Sequence, residues 1–119
     1  MAGTNDVYGG SFGTAPDRLN NLINQIFAAV PDTILIVSTL TPLPSGQTQV
    51  NTYNQAITTL VNNKTAAGQH ILLTSMSSVL TSDLASDKIH PNDGGYVKMA
   101  NAWYPVIQQA IAKGWLVNR

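Results

Sequence analysis

Residues 33 to 39 read Thr-Ile-Leu-Ile-Val-Ser-Thr, and residues 70 to 74 read His-Ile-Leu-Leu-Thr. Each is a short, continuous apolar run, the first rich in β-branched side chains, and each is expected to form a strand covered on both faces. Strands of that kind belong to a parallel sheet packed between helices. This pair of segments restricts the chain more than any other feature does.

The intervening segments have helical spacing. From Asp17 to Val30, residues Leu19, Leu22, Ile23, Ile26, Phe27 and Val30 recur at intervals of three and four, with Pro16 suited to the first turn and Pro31 ending the helix. The stretch Leu-Thr-Pro-Leu-Pro-Ser-Gly-Gln at 40 to 47 reads as a loop. Val50, Tyr53, Ile57, Leu60 and Val61 then share a second helical face, closed by Gly68. A third helix is expected from Tyr96 to Lys113 on Val97, Ala100, Trp103 or Tyr104, Ile107 and Ile111, with Pro105 kinking or breaking it. Helix, strand, helix, strand, helix makes an α/β sandwich with right-handed crossovers, read as one domain over residues 1 to 119. Two strands leave edges and apolar faces that three helices cannot fully cover. Residues 1 to 7 (MAGTNDV) are expected to be the tail of a further strand entering a polar turn.

Six basic and six acidic residues balance to zero without any run of like charge, which argues against nucleic acid or an anionic membrane as partner. There is no cysteine, so disulfides, thiolate metal sites and a cysteine nucleophile are excluded. Asn63-Lys64-Thr65 is a lone glycosylation sequon. No apolar run approaches the roughly 20 residues of a membrane span, and the first residues lack the pattern of a secretory signal. The chain as given is expected to be soluble, any export signal being absent or removed.

The chemistry gathers at Asp87-Lys88-Ile89-His90. A short turn lets the carboxylate accept the proton of one ring nitrogen, leaving the other to face outward as a general base. Pro91 stiffens the exit, and Asn92 or Asp93 can cap the following helix. Taken alone, the same residues also fit a turn former beside a surface histidine.

Residues 87 to 104 (DKIHPNDGGYVKMANAWY), taken with GTND at 3 to 6, resemble the last and third conserved blocks of the SGNH or GDSL hydrolase family. RLNNLINQIFAAVPDTILIVSTL and VNTYNQAITTLVNNKTAAGQHILL look like the helix–strand pairs between those blocks. The pattern is most similar to the acetyl xylan esterase-like branch, carbohydrate esterase family 3, from Ala2 to about Ile111. The resemblance implies a flavodoxin-like, three-layer αβα sandwich with a parallel sheet, whose N-terminal strands are missing from this chain. It makes His90 the base that activates a serine, Asp87 the residue that orients the imidazole, and Asn5 a side-chain donor of the oxyanion hole. It implies a secreted enzyme without metal or cofactor, acting on acetylated plant polysaccharide such as xylan or on a small ester. Asp6 is expected to support the loop, and His70, at the start of a strand, to be structural.

The family's Gly-Asp-Ser block, which carries the nucleophile, is absent, as is the glycine block that supplies a second oxyanion donor. Gly9-Gly10-Ser11-Phe12-Gly13 matches the letters of a nucleophile elbow, but an elbow needs a strand before it and a helix directly after it. Ser11 is therefore expected in a loop, and the serine on an N-terminal fragment of the same enzyme, a longer precursor or a neighbouring copy. The lone chain is expected to associate through its open strand edge. The alternative is a catalytically inactive, truncated domain serving as a carbohydrate-binding or assembly module, with Tyr8, Phe12, Tyr96 and Trp103 as its surface. For Tyr96 and Trp103, on or beside the helical stripe, core packing is the more expected fate.

Overall fold

A computed structural model of the chain describes residues 3–116. Among the described residues four α-helices and two strands follow in the order α1 (Thr4–Gly9), α2 (Ala15–Ala29), β1 (Leu35–Ser38), α3 (Gln47–Ala66), β2 (Ile71–Thr74) and α4 (Asp93–Ala112), with 3₁₀ turns at Phe12–Thr14, Pro44–Gly46 and Thr81–Asp83. The strands pair in parallel, Leu35 opposite Ile71 through to Ser38 opposite Thr74. Hydrogen bonds from the Leu35 N–H to the His70 carbonyl at 2.9 Å and from the Thr39 N–H to the Thr74 carbonyl at 3.0 Å bracket the pairing.

Side chains along a strand alternate between faces, and the alternation separates three layers. Val37 and Ile71, with Leu35 and Leu73 packed beside them, join a core with Ile23 of α2 and Val50, Tyr53, Ile57 and Val61 of α3. On the other face the Thr74 hydroxyl donates to the Ala102 carbonyl of α4 at 2.7 Å. The sheet thus lies between α2 and α3 on one side and α4 on the other, as the two apolar runs require.

The loop leaving β1 is pinned at both ends of its backbone. Leu40 and Leu43 are buried. The Asn54 side chain accepts from the Leu40 N–H at 2.8 Å and donates to the Leu40 carbonyl at 3.3 Å, and Gln47 Oε1 accepts from the Leu43 N–H at 3.0 Å.

Three expectations need correction. The polar turn at GTND is a helix: Gly3 (φ 111) and Gly10 (φ 73) take left-handed conformations at its two ends, Val7 packs on the core, and Asp6 meets Arg18 at 2.5 Å. Those long-range contacts offset the nucleation cost of so short a helix. The first two residues of the expected strand tail lie outside the described residues. Of the kink or break expected at Pro105, the break does not occur: α4 runs from Asp93 to Ala112. Pro105 and Asn101 are both exposed, so the carbonyl left without its helical donor faces water. Finally, the apolar stripe of α4 points outward, with Val97, Tyr104, Ile107 and Ile111 between 42% and 63% exposed. The buried positions of α4 are Gly95 and Ala110 instead, and the Ala102 carbonyl is what meets Thr74 of β2.

Replacing Asn54 by Ala should leave the Leu40 amide and carbonyl without partners in a buried loop. The expected loss is about 1–3 kcal/mol of unfolding free energy by urea titration, with little change in the slope.

Candidate active site

The segment after β2 is held at its start by the Thr39 hydroxyl, which accepts from the Met76 N–H at 2.8 Å. Val79 and Leu84 bury themselves beneath it. At its far end an isolated antiparallel bridge joins Leu84 to Pro91, reinforced by hydrogen bonds from the Ala85 N–H to the His90 carbonyl and from the Asn92 N–H to the Asp83 carbonyl, both 2.7 Å. The six residues between bridge partners form a closed turn with Lys88 in the left-handed region (φ 60). Asn92 caps α4 by accepting from the Gly95 N–H at 2.9 Å, and Asp83 binds Lys98 of α4 at 2.6 Å. The turn that carries the histidine is thereby fixed to the first turns of α4.

Inside it, one carboxylate organises three donors. Asp87 Oδ1 accepts from the N–H groups of Ile89 at 2.9 Å and His90 at 3.0 Å, and Asp87 Oδ2 lies 2.6 Å from His90 Nδ1. A carboxylate only accepts, so Nδ1 carries the proton and Nε2 of the neutral ring is left to accept one. The hydrogen bond from His90, with the two backbone N–H groups behind it, lowers the Asp87 pKa from 3.8 to about 2. Lys98 likewise lowers that of Asp83.

His90 opens onto a cavity of about 360 Å³ whose lining includes Asn5, Tyr8, Thr41, Tyr96 and Met99. The three candidate residues are accordingly connected: Asn5 and His90 share the cavity, and Asp87 reaches it through the imidazole. Ser11 is not in the lining; it is exposed before the 3₁₀ turn at Phe12, and its carbonyl accepts from Arg18 at 3.1 Å. Asp6 supports the segment through Arg18. His70 stacks on Trp115 with ring centroids 4.4 Å apart, outside the cavity. Tyr8 and Tyr96 are half exposed at the cavity, which corrects the core reading of Tyr96, while Trp103 lines a separate groove beside α2 and β1. No sequence motif singles out Thr41 and Met99 of the lining; Thr41 follows the carboxyl end of a parallel strand, where α/β folds gather their ligands. A larger cavity of about 730 Å³ lies between α3 and the segment after β2 and is lined by neutral side chains such as Asn51, Gln55 and Thr59, so it holds no acid–base group. Among the described residues no group of three or more His, Asp or Glu side chains is placed to hold a metal ion, and no helix is long and apolar enough to cross a membrane.

No protein-family model matches the chain. Solved structures do. The chain superposes over 95% of its length on a mutant acetyl esterase crystallised with an acetate ion, at TM-score 0.85 and 25% identity. It superposes over 92% on a Clostridium thermocellum family 3 carbohydrate esterase at TM-score 0.75 and 31% identity, and over 93% on a carbohydrate esterase family 3 structure from Talaromyces cellulolyticus at TM-score 0.83 and 25% identity. The fold is that of carbohydrate esterase family 3. Its α/β sandwich is the SGNH type expected from the sequence blocks, and the chain spans 55–57% of each of those family 3 and acetyl esterase structures. Two curated relatives match as well. An Acetivibrio thermocellus protein provisionally named endoglucanase X is 35% identical over 89 residues, 72% of this chain and 38% of that protein. A multidomain esterase of Ruminococcus flavefaciens is 28% identical over 117 residues, 89% of this chain and 15% of that protein. The chain therefore spans well under half of the curated relatives it matches.

Two outcomes are expected from the local geometry. Because the folded-state pKa of Asp87 is depressed, its carboxylate contributes to holding the turn at every pH above the ordinary carboxylate range, and that contribution is lost as pH falls toward about 2. A carbon-detected NMR titration should place its midpoint near that value, and His90→Ala should move it up toward 3.8, stopping short because the backbone donors remain. In Gly95→Ala, the added Cβ would meet the Asp83 carbonyl oxygen at 2.5 Å and Pro91 Cβ at 2.8 Å. This overpacking against a backbone carbonyl and a proline ring should cost about 1–3 kcal/mol, read as a fall in Tm.

Proposed function

We propose that this chain is the base-bearing part of an SGNH-type serine esterase that removes acetyl groups from plant cell-wall polysaccharide. The observation that carries the reading is that His90, with a carboxylate on Nδ1, and Asn5, from the opposite end of the sequence, open onto one cavity. The likeness to an acetyl esterase crystallised as a serine-to-alanine mutant with acetate supports the choice of ester and of nucleophile. An extracellular location goes with such a substrate.

The chemistry balances with one external group, a serine hydroxyl from a part of the enzyme outside these residues. Its oxygen attacks the acetyl carbonyl while His90 Nε2 takes the proton, and Asp87 stabilises the resulting imidazolium. The carbonyl oxygen becomes an oxyanion that the Asn5 amide meets with a hydrogen bond, a contribution of roughly 3 kcal/mol in comparable sites. Collapse breaks the bond to the sugar oxygen, which leaves with the His90 proton. Water, deprotonated by His90, then attacks the acetyl-serine, releasing acetate and restoring the hydroxyl. A second reading, a sugar-binding module without turnover, draws on Tyr8 and Tyr96, whose half-exposed rings border the cavity as stacking surfaces would.

The test is a chimera in which this chain replaces the matched portion of the Clostridium thermocellum esterase, assayed on 4-nitrophenyl acetate. The chain by itself should show no turnover and the chimera should hydrolyse the ester. In the chimera, His90→Ala should lower kcat by about 10²–10⁴, and Asn5→Ala by about 10²–10³. Ser11→Ala should leave the rate unchanged. Full activity in the His90→Ala chimera would end the esterase reading, whereas xylo-oligosaccharide binding without any turnover would favour the module.

A further inference from the structure

We infer that the larger cavity, between α3 and the segment after β2, is a second binding site, taking the uncharged backbone of an oligosaccharide beside its acetyl-bearing unit; the choice of sugar rests on the function proposed above. The lining comes from this chain alone: α3, the loop leaving β1 and the segment after β2. At about 730 Å³ the cavity has the size of a small-molecule site and about twice the volume of the one that holds His90. No charged side chain lines it, so a phosphate, carboxylate or ammonium would enter without a counter-charge. Its polar groups are amides and hydroxyls, which both donate and accept, as the hydroxyls of a sugar do. Leu40, Met76 and Val79, none more than 3% exposed, form an apolar base against which the C–H face of a pyranose ring can pack.

Hydrogen bonds within the chain divide the polar lining into groups that are engaged and groups left for a ligand. Asn54 is engaged by both backbone groups of Leu40, and the Thr58 hydroxyl donates to the Asn54 carbonyl at 2.7 Å. Gln47 accepts from the Leu43 N–H, and its Nε2 donates to Asn51 Oδ1 at 2.8 Å, which orients the Asn51 amide and leaves its Nδ2 hydrogens unused. Gln55 and Thr59 have no hydrogen-bond partner for their side chains among the described residues. Asn51, Gln55 and Thr59 stand four residues apart in one row along α3, a rise of about 6 Å per step. That step is close to the length of one unit in an extended β-linked pyranose chain, so successive sugars can meet successive side chains. Ser75 and Ser77 share one hydrogen bond of 3.0 Å, which leaves a hydroxyl proton for the ligand. The loop leaving β1 is the partition between the two cavities: Leu40 and Pro42 line the larger one, and Thr41, between them in sequence, lines the one that holds His90. A chain with its acetylated unit at His90 has to cross only that loop for its neighbouring units to reach the row on α3.

The probe is xylohexaose, titrated into this chain, or into the chimera should the chain alone not hold its fold, with the side-chain amide signals of Asn51 and Gln55 followed by NMR. Both signals should shift and saturate together with the backbone amides of Leu40 and Met76, and His90→Ala should leave the titration unchanged. Gln55→Ala removes no bond within the chain at an exposed helical position, so it should fold, and it should weaken binding about three- to tenfold. Sodium phosphate should shift neither amide. The proposal is overturned if Asn51 and Gln55 stay unshifted at the highest soluble xylohexaose concentration, or if phosphate shifts them equally. Shifts confined to Tyr8, Tyr96 and His90 also overturn it, by putting the sugar in the smaller cavity alone. Binding at Asn51 and Gln55 without ester hydrolysis by the chimera sustains the site and counts against the esterase reading; hydrolysis without those shifts removes the site and leaves that reading standing.

Discussion

Two buried threonines at the carboxyl end of the sheet hold the rest of the structure in place. The Thr39 N–H closes the β1–β2 ladder on the Thr74 carbonyl, the Thr39 hydroxyl receives the Met76 N–H, and the Thr74 hydroxyl donates to the Ala102 carbonyl. They are 7% and 1% exposed. A buried hydroxyl costs stability unless it is bonded, and here each is bonded to a different neighbouring element. One pair of residues thus joins the strands, sets the departure of the segment that ends in His90, and fixes the register of α4 against the sheet. The position of the imidazole is inherited from that knot, since the turn carrying it is bridged to Leu84 and fastened to α4 through Asn92 and Asp83.

What could be read from the sequence follows from the range of the forces involved. The two strands, α2 and α3 were legible because apolar periodicity records which face is buried; in α3 the buried residues are those the period selects, whereas in α2 Ile23 is buried and Leu22 and Val30 of the same stripe are half exposed. The Asp87–His90 pair was legible because it is made within a four-residue turn, by donors and acceptors that neighbour one another in the chain. The helix at Thr4–Gly9 was not, because its stability comes from Val7 on a core assembled elsewhere and from Arg18 twelve residues on. In α4 the period was right and the phase was wrong. Periodicity identifies an apolar stripe, but it cannot say that Gly95 and Ala110 are buried while Val97, Tyr104 and Ile111 face out. The meeting of Asn5 with His90 depends on both of those tertiary facts and is invisible to local pattern.

The same division between local and long-range forces bears on chemistry. The orientation of the imidazole is complete within this chain: three hydrogen bonds fix the carboxylate, and the carboxylate fixes the ring. Its environment is not complete. The side chains of Asp87 and His90 are 45% and 69% exposed, and water at that level screens the charges that an acyl-transfer step must stabilise. Preorganised donors act most strongly where solvent is excluded. In the proposed reaction, then, the serine-bearing part of the enzyme would have two physical tasks, delivering a hydroxyl and covering the pair so that the attraction between imidazolium and carboxylate is felt at low dielectric. Only the first is a matter of sequence motif. The second requires a surface laid over the exposed rim of the His90 cavity, where Tyr8 and Tyr96 are half exposed.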